Sequence, residues 1–320
     1  MEKVIMDVDP GIDDSLAILL ALNSPELTIE GITVVSGNVE VGQATINALR
    51  AVQMSGKKVS VYKGMALPLE RPYQDATDTH GRDGLGETFF PPPKETPADE
   101  HAVDFILRKV GEEPHQITLL ALGPLTNIAK AWQQDPTTMR KVKRIVLMGG
   151  SARHHGNCSP VAEYNFWADP HAAKIVFAAG LDITMVGLDV THRIVFTPHL
   201  REVVHQLGTS LSQYIYDITQ FYVDFHWRQE KTIGCVINDP LAVAVLIKPE
   251  LVTTKPAYVE IETEGVAMGQ SVVDFSGNHG EWNAHVCMDV DVKAFFELFL
   301  YRLFPEHRDL LQIGIEKHHW

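Results

Sequence analysis

An α/β fold built on one mostly parallel sheet flanked by helices is predicted by three observations. Short β-branched runs alternate with amphipathic stretches of helical length, Gly, Pro or Asn punctuates most junctions, and neither a low-complexity linker nor an internal repeat interrupts the chain. Residues 4–7 read as a strand, followed by a Pro10-Gly11 turn and a helix over about 13–23 that Ser24-Pro25 stops. Residues 29–35 form the next strand, ending at Ser36-Gly37-Asn38. A helix over about 42–54 closes at Gly56, and 59–62 is the third strand. This β-α-β-α-β order needs crossover helices, hence a parallel sheet covered on both faces. After a Gly- and Pro-rich loop the alternation resumes with helix 98–110, strand 117–122, helix 125–133, strand 145–148, helix 170–179 and strand 183–188. Such a pattern is Rossmann-like, with its ligand edge at the C-terminal strand ends. Residues 1–320 read as a single domain.

Two segments depart from the alternation. Residues 65–97 are polar, carry HGRDGLG and PPP, and form an inserted loop long enough to imply a function of its own. Residues 210–231 read as a helix rich in aromatics. Beyond Asp239 a helix precedes strand-like runs at 257–262, 270–275 and 285–288. A final helix spans about 292–304, and residues 317–320 are expected to fray.

Composition excludes several classes. Apolar residues are 45% and charged residues 21%, ordinary globular values that rule out disordered and fibrous chains. Twenty-seven Lys and Arg against 41 Asp and Glu leave a net charge of −14, which repels phosphate backbones, so no nucleic-acid partner is expected. Cys158, Cys235 and Cys287 are scattered, odd in number and without metal-type spacing, which fits a reducing compartment. The N-terminal MEKVIMDVDPGIDD lacks the apolar core of a secretory signal, and no apolar run is long enough to span a bilayer. A cytoplasmic protein with no membrane partner is expected.

The strongest chemical signal is Asp7-Val8-Asp9-Pro10-Gly11-Ile12-Asp13-Asp14, four carboxylates where the first strand ends and the first helix begins. Crowded carboxylates raise one another's pKa unless a cation sits among them, and hard oxygen ligands suit Ca²⁺ or Mg²⁺ rather than zinc. Asp near a helix N-terminus is also favoured for structural reasons, which explains Asp13 or Asp14 but not Asp9. Asn238-Asp239-Pro240 opens a distant helix, an ordinary helix start when taken alone. Asn157, Glu163 and Asn165 precede or open another helix. Two amides and a carboxylate there suit polyol recognition, or simply a solvated loop.

Together these segments resemble the inosine–uridine-preferring nucleoside hydrolases. DVDPGIDD matches that family's aspartate signature, and ITVVSGN (32–38), ALGPLTN (121–127), VLMGG (146–150), AEYNFWADP (162–170) and GLDVT (187–191) follow in order, the likeness reaching Asp289-Val290-Asp291. GGSARHHGNCSPVAEYN and the SVVDFSG region resemble the broad-specificity ribonucleoside branch. The resemblance implies Ca²⁺-dependent cleavage of ribonucleosides to ribose and free base, by a homodimer or homotetramer. It implies that Asp9 binds Ca²⁺ and deprotonates the attacking water, with Asp14, Asp239 and the Leu122 carbonyl as further ligands. Asp13 and Asn38 would lie around the ribose and the nucleophile, Asn157, Glu163 and Asn165 on the ribose hydroxyls, Met148 beside the sugar, and His80 near base and sugar.

One departure bears on mechanism. Many family members carry His immediately before the second metal aspartate, assigned as the acid for the leaving base; here the residue is Asn238, whose amide can only hydrogen-bond. His80, Tyr222, His226 and Arg228 are candidates for that role. Phe225 and Trp227 could stack on the base, or Tyr222, Phe225 and His226 could be a packed helix stripe. His154 and His155 read as exposed loop residues. Two other functions compete: phosphoryl transfer at a Mg²⁺–Asp site, and a nucleoside- or ribose-binding protein that kept the calcium site with little turnover.

Overall fold

The computed structural model describes residues 1–318. An interior strand of its sheet, β1 (Glu2–Val8), is buried on both faces: Val4, Met6 and Val8 point into one core, Ile5 into the other. This is the fate expected of a continuous apolar run in a parallel sheet. β2 (Leu27–Val34) and β3 (Val61–Lys63) pair in parallel on one side of β1. β4 (Ile117–Ala121), β5 (Arg144–Met148) and β6 (Ile183–Val186) follow in parallel on the other. β7 (Val195–Phe196) and β8 (Cys235–Val236) form a separate two-stranded ribbon. β9 (Val252–Ile261), β10 (Ser271–Asp274) and β11 (Ala284–Val290) close the far edge. There β11 is parallel to β6, while β9 is antiparallel to both β10 and β11. The nine-stranded order is β10-β9-β11-β6-β5-β4-β1-β2-β3.

Helices Ile12–Leu22, Val41–Ser55, Asp239–Ile247 and Val292–Leu303 cover one face. Ala102–Glu112, Thr126–Gln134 and Pro170–Ala178 cover the other. Succession runs outward from β1 in both directions, so the chain reverses beside β1, and the segment leaving its carboxyl end opens into the crevice.

The structure moves several predicted boundaries. The helix expected from residue 98 starts at Ala102, because Ala98 pairs with Tyr62 as a bridge and the His101 ring accepts the Val103 N–H. The strand expected to reach 188 stops at Val186. Leu188–Thr191 turns into a short helix whose Asp189 carboxylate takes the Ala152, Arg153 and His154 N–H groups. A further helix, Arg308–Glu316, follows the one read as final. Of the end expected to fray, His318 packs on His199, and residues 319 and 320 lie outside the described residues.

Asp7 belongs to the scaffold and not to the acidic cluster. Its Oδ1 accepts from Thr33 Oγ1 at 2.6 Å and Asn127 Nδ2 at 2.8 Å. Asn127 also donates to the Val34 carbonyl and accepts the Met65 N–H, joining β1, β2 and the root of the inserted loop. Burial pushes Asp7 up to about 7. Asn127→Ala strips partners from three buried groups at a cost of about 1–3 kcal/mol for each left unsatisfied. Its urea midpoint is expected to fall clearly with an unchanged m-value; an unmoved midpoint would show that these bonds are replaceable.

Candidate active site

Asp9 leaves β1 between two glycines. A Cβ at Gly37 would lie 1.9 Å from Asp9 Oδ2, and one at Gly123 would lie 2.6 Å from Oδ1, so neither position accepts a side chain. Asn38 fixes the carboxylate: its N–H donates to Asp9 Oδ2 at 2.8 Å, and its Nδ2 reaches the Asp9 carbonyl at 3.2 Å and Asp14 Oδ2 at 3.1 Å. Asp9 Oδ1 is buried with no hydrogen-bond partner among the described residues.

Asp13 and Asp14 occupy the first turn of helix Ile12–Leu22, where free N–H groups favour negative charge. Asp14 accepts from the Asp9 and Gly11 N–H groups at 3.2 and 3.0 Å. Asp13 Oδ2 accepts from the Tyr222 hydroxyl at 3.3 Å and from the Asn238 N–H and Nδ2, both at 3.2 Å. Asp239 begins helix Asp239–Ile247, with Pro240 following. Oxygens of Asp13, Asp14 and Asp239 lie within 4.8 Å of one another, all buried. Burial and neighbouring carboxylates hold Asp9 and Asp239 well above the usual range, and burial, with Asp13 next, pushes Asp14 up to about 7.

These residues fit a hard divalent cation. All donors are oxygens, Asp9 Oδ1 lacks a partner, and carboxylates this close need positive charge or shared protons. The close trio brings in Asp13, which the sequence placed with the ribose groups. The Leu122 carbonyl faces the same cavity and already accepts Asn165 Nδ2 at 2.7 Å.

Above the carboxylates opens a cavity of about 770 Å³, within the usual range for small-molecule sites. Asp13, Asn38, His80, Leu122, Met148, Asn157, Glu163, Asn165, Tyr222, His226, Asn238 and Asp239 line it, whereas Asp9 and Asp14 are not among its lining residues. Glu163 is doubly employed. It caps helix Tyr164–Ala168 by accepting from Asn165 and Phe166, and it also takes the Gly150 N–H at 2.9 Å; burial still pushes it up to about 7. His80 Nδ1 accepts the Ile12 N–H at 3.1 Å, tying the inserted loop to the first helix.

Two expected residues stand elsewhere. Trp227 is 52% exposed beneath Lys231, and Arg228 is exposed and bonds the Asp224 carbonyl. On helix Ser210–Glu230 the face carrying Tyr222, Phe225, His226, Gln229 and Glu230 turns to the cavity, and Trp227 lies well round the axis from Tyr222. His154 is half-buried against His192, ring centroids 4.4 Å apart, and His155 lines the cavity. The sequence reading also missed Tyr73, Tyr164, Trp167, His192, Gln229 and Glu230 in the lining. For Tyr73 the unusual length of the inserted loop was the available signal, and for Gln229 and Glu230 it was their heptad-like spacing from Tyr222.

Fold and site together define an α/β enzyme whose chemistry is organised around carboxylates at the strand ends. The family model described as inosine-uridine preferring nucleoside hydrolase matches residues 4–297, and the chain belongs to that family of ribonucleoside hydrolases. It is 42% identical over 277 residues to the inosine-uridine preferring nucleoside hydrolase of Leishmania major, covering 85% of this chain and 88% of that protein. It is 38% identical over 307 residues to the pyrimidine-specific ribonucleoside hydrolase RihA of Salmonella newport, covering 94% and 97%. The solved purine-preferring ribonucleoside hydrolase from Gardnerella vaginalis superposes with a TM-score of 0.90 at 35% identity, covering 98% and 100%. No helix among the described residues is long and apolar enough to cross a membrane.

Carboxylates raised toward pH 7 must lose protons to accept a cation. Calorimetric affinity for a hard divalent cation is therefore expected to rise as pH increases from 5.5 through 7, by about tenfold per pH unit for each proton displaced. An affinity that does not change with pH would mean that the cluster is already ionised when empty.

Proposed function

We propose that this ribonucleoside hydrolase is Ca²⁺-dependent and that Asp9 is its general base. The observation that carries this reading is Asp9 Oδ1: a buried carboxylate oxygen with no hydrogen-bond partner among the described residues, on a residue that Asn38 ties to Asp14 of the Asp13, Asp14 and Asp239 cluster. Ca²⁺, held by Asp9, Asp14, Asp239 and the Leu122 carbonyl, supplies Lewis acidity toward water and toward the ribose hydroxyls when bound. Asp9 takes the proton of the attacking water, its position fixed by the Asn38 N–H and by the two glycines beside it. Negative charge from Asp13 and its neighbours favours the oxocarbenium character that develops on the sugar. Asn157, Glu163, Asn165 and Met148 line the wall where the ribose would be gripped. His80, neutral and bonded to Ile12 through Nδ1, presents Nε2–H as a hydrogen-bond donor. The reading places the enzyme in nucleoside salvage, in the cytoplasm.

Asp9→Asn is nearly isosteric and is expected to fold while lowering kcat by about 10² or more in saturating Ca²⁺. A kcat near that of the unmodified enzyme would assign the base to another group. No Lys or Arg lines the cavity among the described residues, whereas Asp13, Asp75, Asp78, Glu163, Glu230 and Asp239 do. Opposed like charges cost several kcal/mol, so kcat/KM for uridine 5′-phosphate is expected to lie at least about 10²-fold below that for uridine. Comparable values would require a cationic group that turns into the cavity.

A further inference from the structure

Departure of a base from C1′ leaves an electron pair on it, and a proton delivered there contributes about 10²–10⁴-fold. Several other side chains that line the cavity are disqualified as donors by their own chemistry. Asn238 is an amide, engaged with Asp13. His80 accepts the Ile12 N–H at Nδ1, so it is held as the neutral Nε2–H tautomer, a hydrogen-bond donor and not an acid. The Tyr222 hydroxyl donates to Asp13, and burial, followed by that carboxylate, raises it well above the ordinary phenol value. His192 turns Nε2 toward Glu230 at 3.4 Å and buries Nδ1 without a partner. His155 is exposed at the rim, where solvent itself exchanges protons.

We propose that His226 is the proton donor to the departing base. The inference rests on the hydrolase reading and deepens it. The His226 Nδ1–H donates to the Tyr222 carbonyl one turn earlier, at 2.8 Å. A carbonyl only accepts, so Nδ1 stays protonated in either charge state and the titrating proton is the one on Nε2. Nε2 has no hydrogen-bond partner among the described residues, while the residue lines the cavity. Edge-on contacts with Tyr222 and Phe225, centroids 4.4 and 5.4 Å away, fix the ring plane. The Tyr222 hydroxyl marks the Asp13 end of the cavity, and His226, also in its lining, lies one turn, about 6 Å, further along the same helix.

Charged and titratable groups face His226 from several elements. Burial lowers its pKa; Glu230 on its own helix and Asp13 from the first helix oppose that, while His192 adds to it. His80, from the inserted loop, also senses it. Glu230, one turn beyond His226 and lining the cavity, is thus a positioning residue that favours the imidazolium.

In the step, the C1′–N bond breaks and its electron pair passes to the base. The His226 Nε2–H bond breaks, and the proton binds N7 of a purine or O2 of a pyrimidine. The water oxygen bonds to C1′ and its proton goes to Asp9. Ribose and free base leave, Asp9 returns its proton to solvent, and His226 takes one from solvent.

The test compares His226→Gln with the unmodified enzyme on uridine, inosine and p-nitrophenyl riboside across pH, in Ca²⁺. p-Nitrophenolate leaves without a proton, so this substrate reports the sugar end alone and shows that the variant is folded. The ratio of kcat/KM on nucleosides to that on p-nitrophenyl riboside is expected to fall by about 10² or more in His226→Gln. In the unmodified enzyme, kcat/KM on nucleosides is expected to decline as pH rises through the His226 pKa, a limb absent with p-nitrophenyl riboside and absent from the variant. Glu230→Gln is expected to move that limb to lower pH, which a packing role would not do. An unchanged ratio in His226→Gln, or a Glu230→Gln limb that stays in place, overturns the assignment. Failure of the unmodified enzyme on p-nitrophenyl riboside as well as on nucleosides overturns the hydrolase reading beneath it.

Discussion

Mutual repulsion among Asp9, Asp13, Asp14 and Asp239 is the constraint around which this fold is organised. Four carboxylates are buried together, and the low-dielectric interior makes each expensive unless something answers its charge. The answer is architectural. Two helices, Ile12–Leu22 and Asp239–Ile247, begin at this point and share one core, so free N–H groups and dipole ends converge on the negative charge. Asn38, at the end of the neighbouring β-α connection, bridges Asp9 and Asp14. The strand order places these loops side by side, because the chain reverses direction across the sheet at β1.

The cavity consequently has two chemically different ends joined by one helix. Tyr222 reaches the carboxylates and is locked by Asp13, whereas His226 and Glu230 stand one and two turns on along the same helix. Under the roles proposed for Asp9 and His226, the base must be ionised and the acid protonated, and their separation would let both coexist at one pH. Asn238 sits between them and donates to Asp13 through both backbone and side chain. A residue so committed orients the carboxylate, which explains how an amide serves at this position.

The parallel α/β core was legible in the sequence because it follows from local periodicity: each strand of the central six and each long helix was found within a few residues. The acidic cluster was legible because Asp9, Asp13 and Asp14 are adjacent in the chain. Boundaries failed where tertiary contacts decide them, as at Ala98, drawn into a bridge with Tyr62, and at Leu188, whose N–H bonds the Gly150 carbonyl. Asp7 was counted in the cluster because sequence shows proximity and not direction; it is still within β1, held by Thr33 and Asn127, whereas Asp9 lies beyond the strand end. Trp227 was attractive by residue type and excluded by helical phase. His192 meets Glu230, 38 residues away, only once the fold is formed, and no local pattern marks His192.

Assembly of the acidic site from segments more than 200 residues apart couples cation binding to folding. Asp13 contacts Asn238 across 225 positions, so the close trio of carboxylates exists only in the folded chain. A raised carboxylate pKa means that the empty site stabilises the fold best when protonated. That contribution is fully present below the unfolded value, near 4, and is lost as pH rises through the folded value, about 7 for Asp14. A cation opposes the loss, because it binds the folded, ionised form and adds stability by mass action. The same crowding that strains the cluster at neutral pH suits it to a hard cation there, and Asp9 Oδ1 has no hydrogen-bond partner among the described residues. The strain is thus a joint property of these four residues, and a neutral substitution that relieved it would also weaken any hold on a cation.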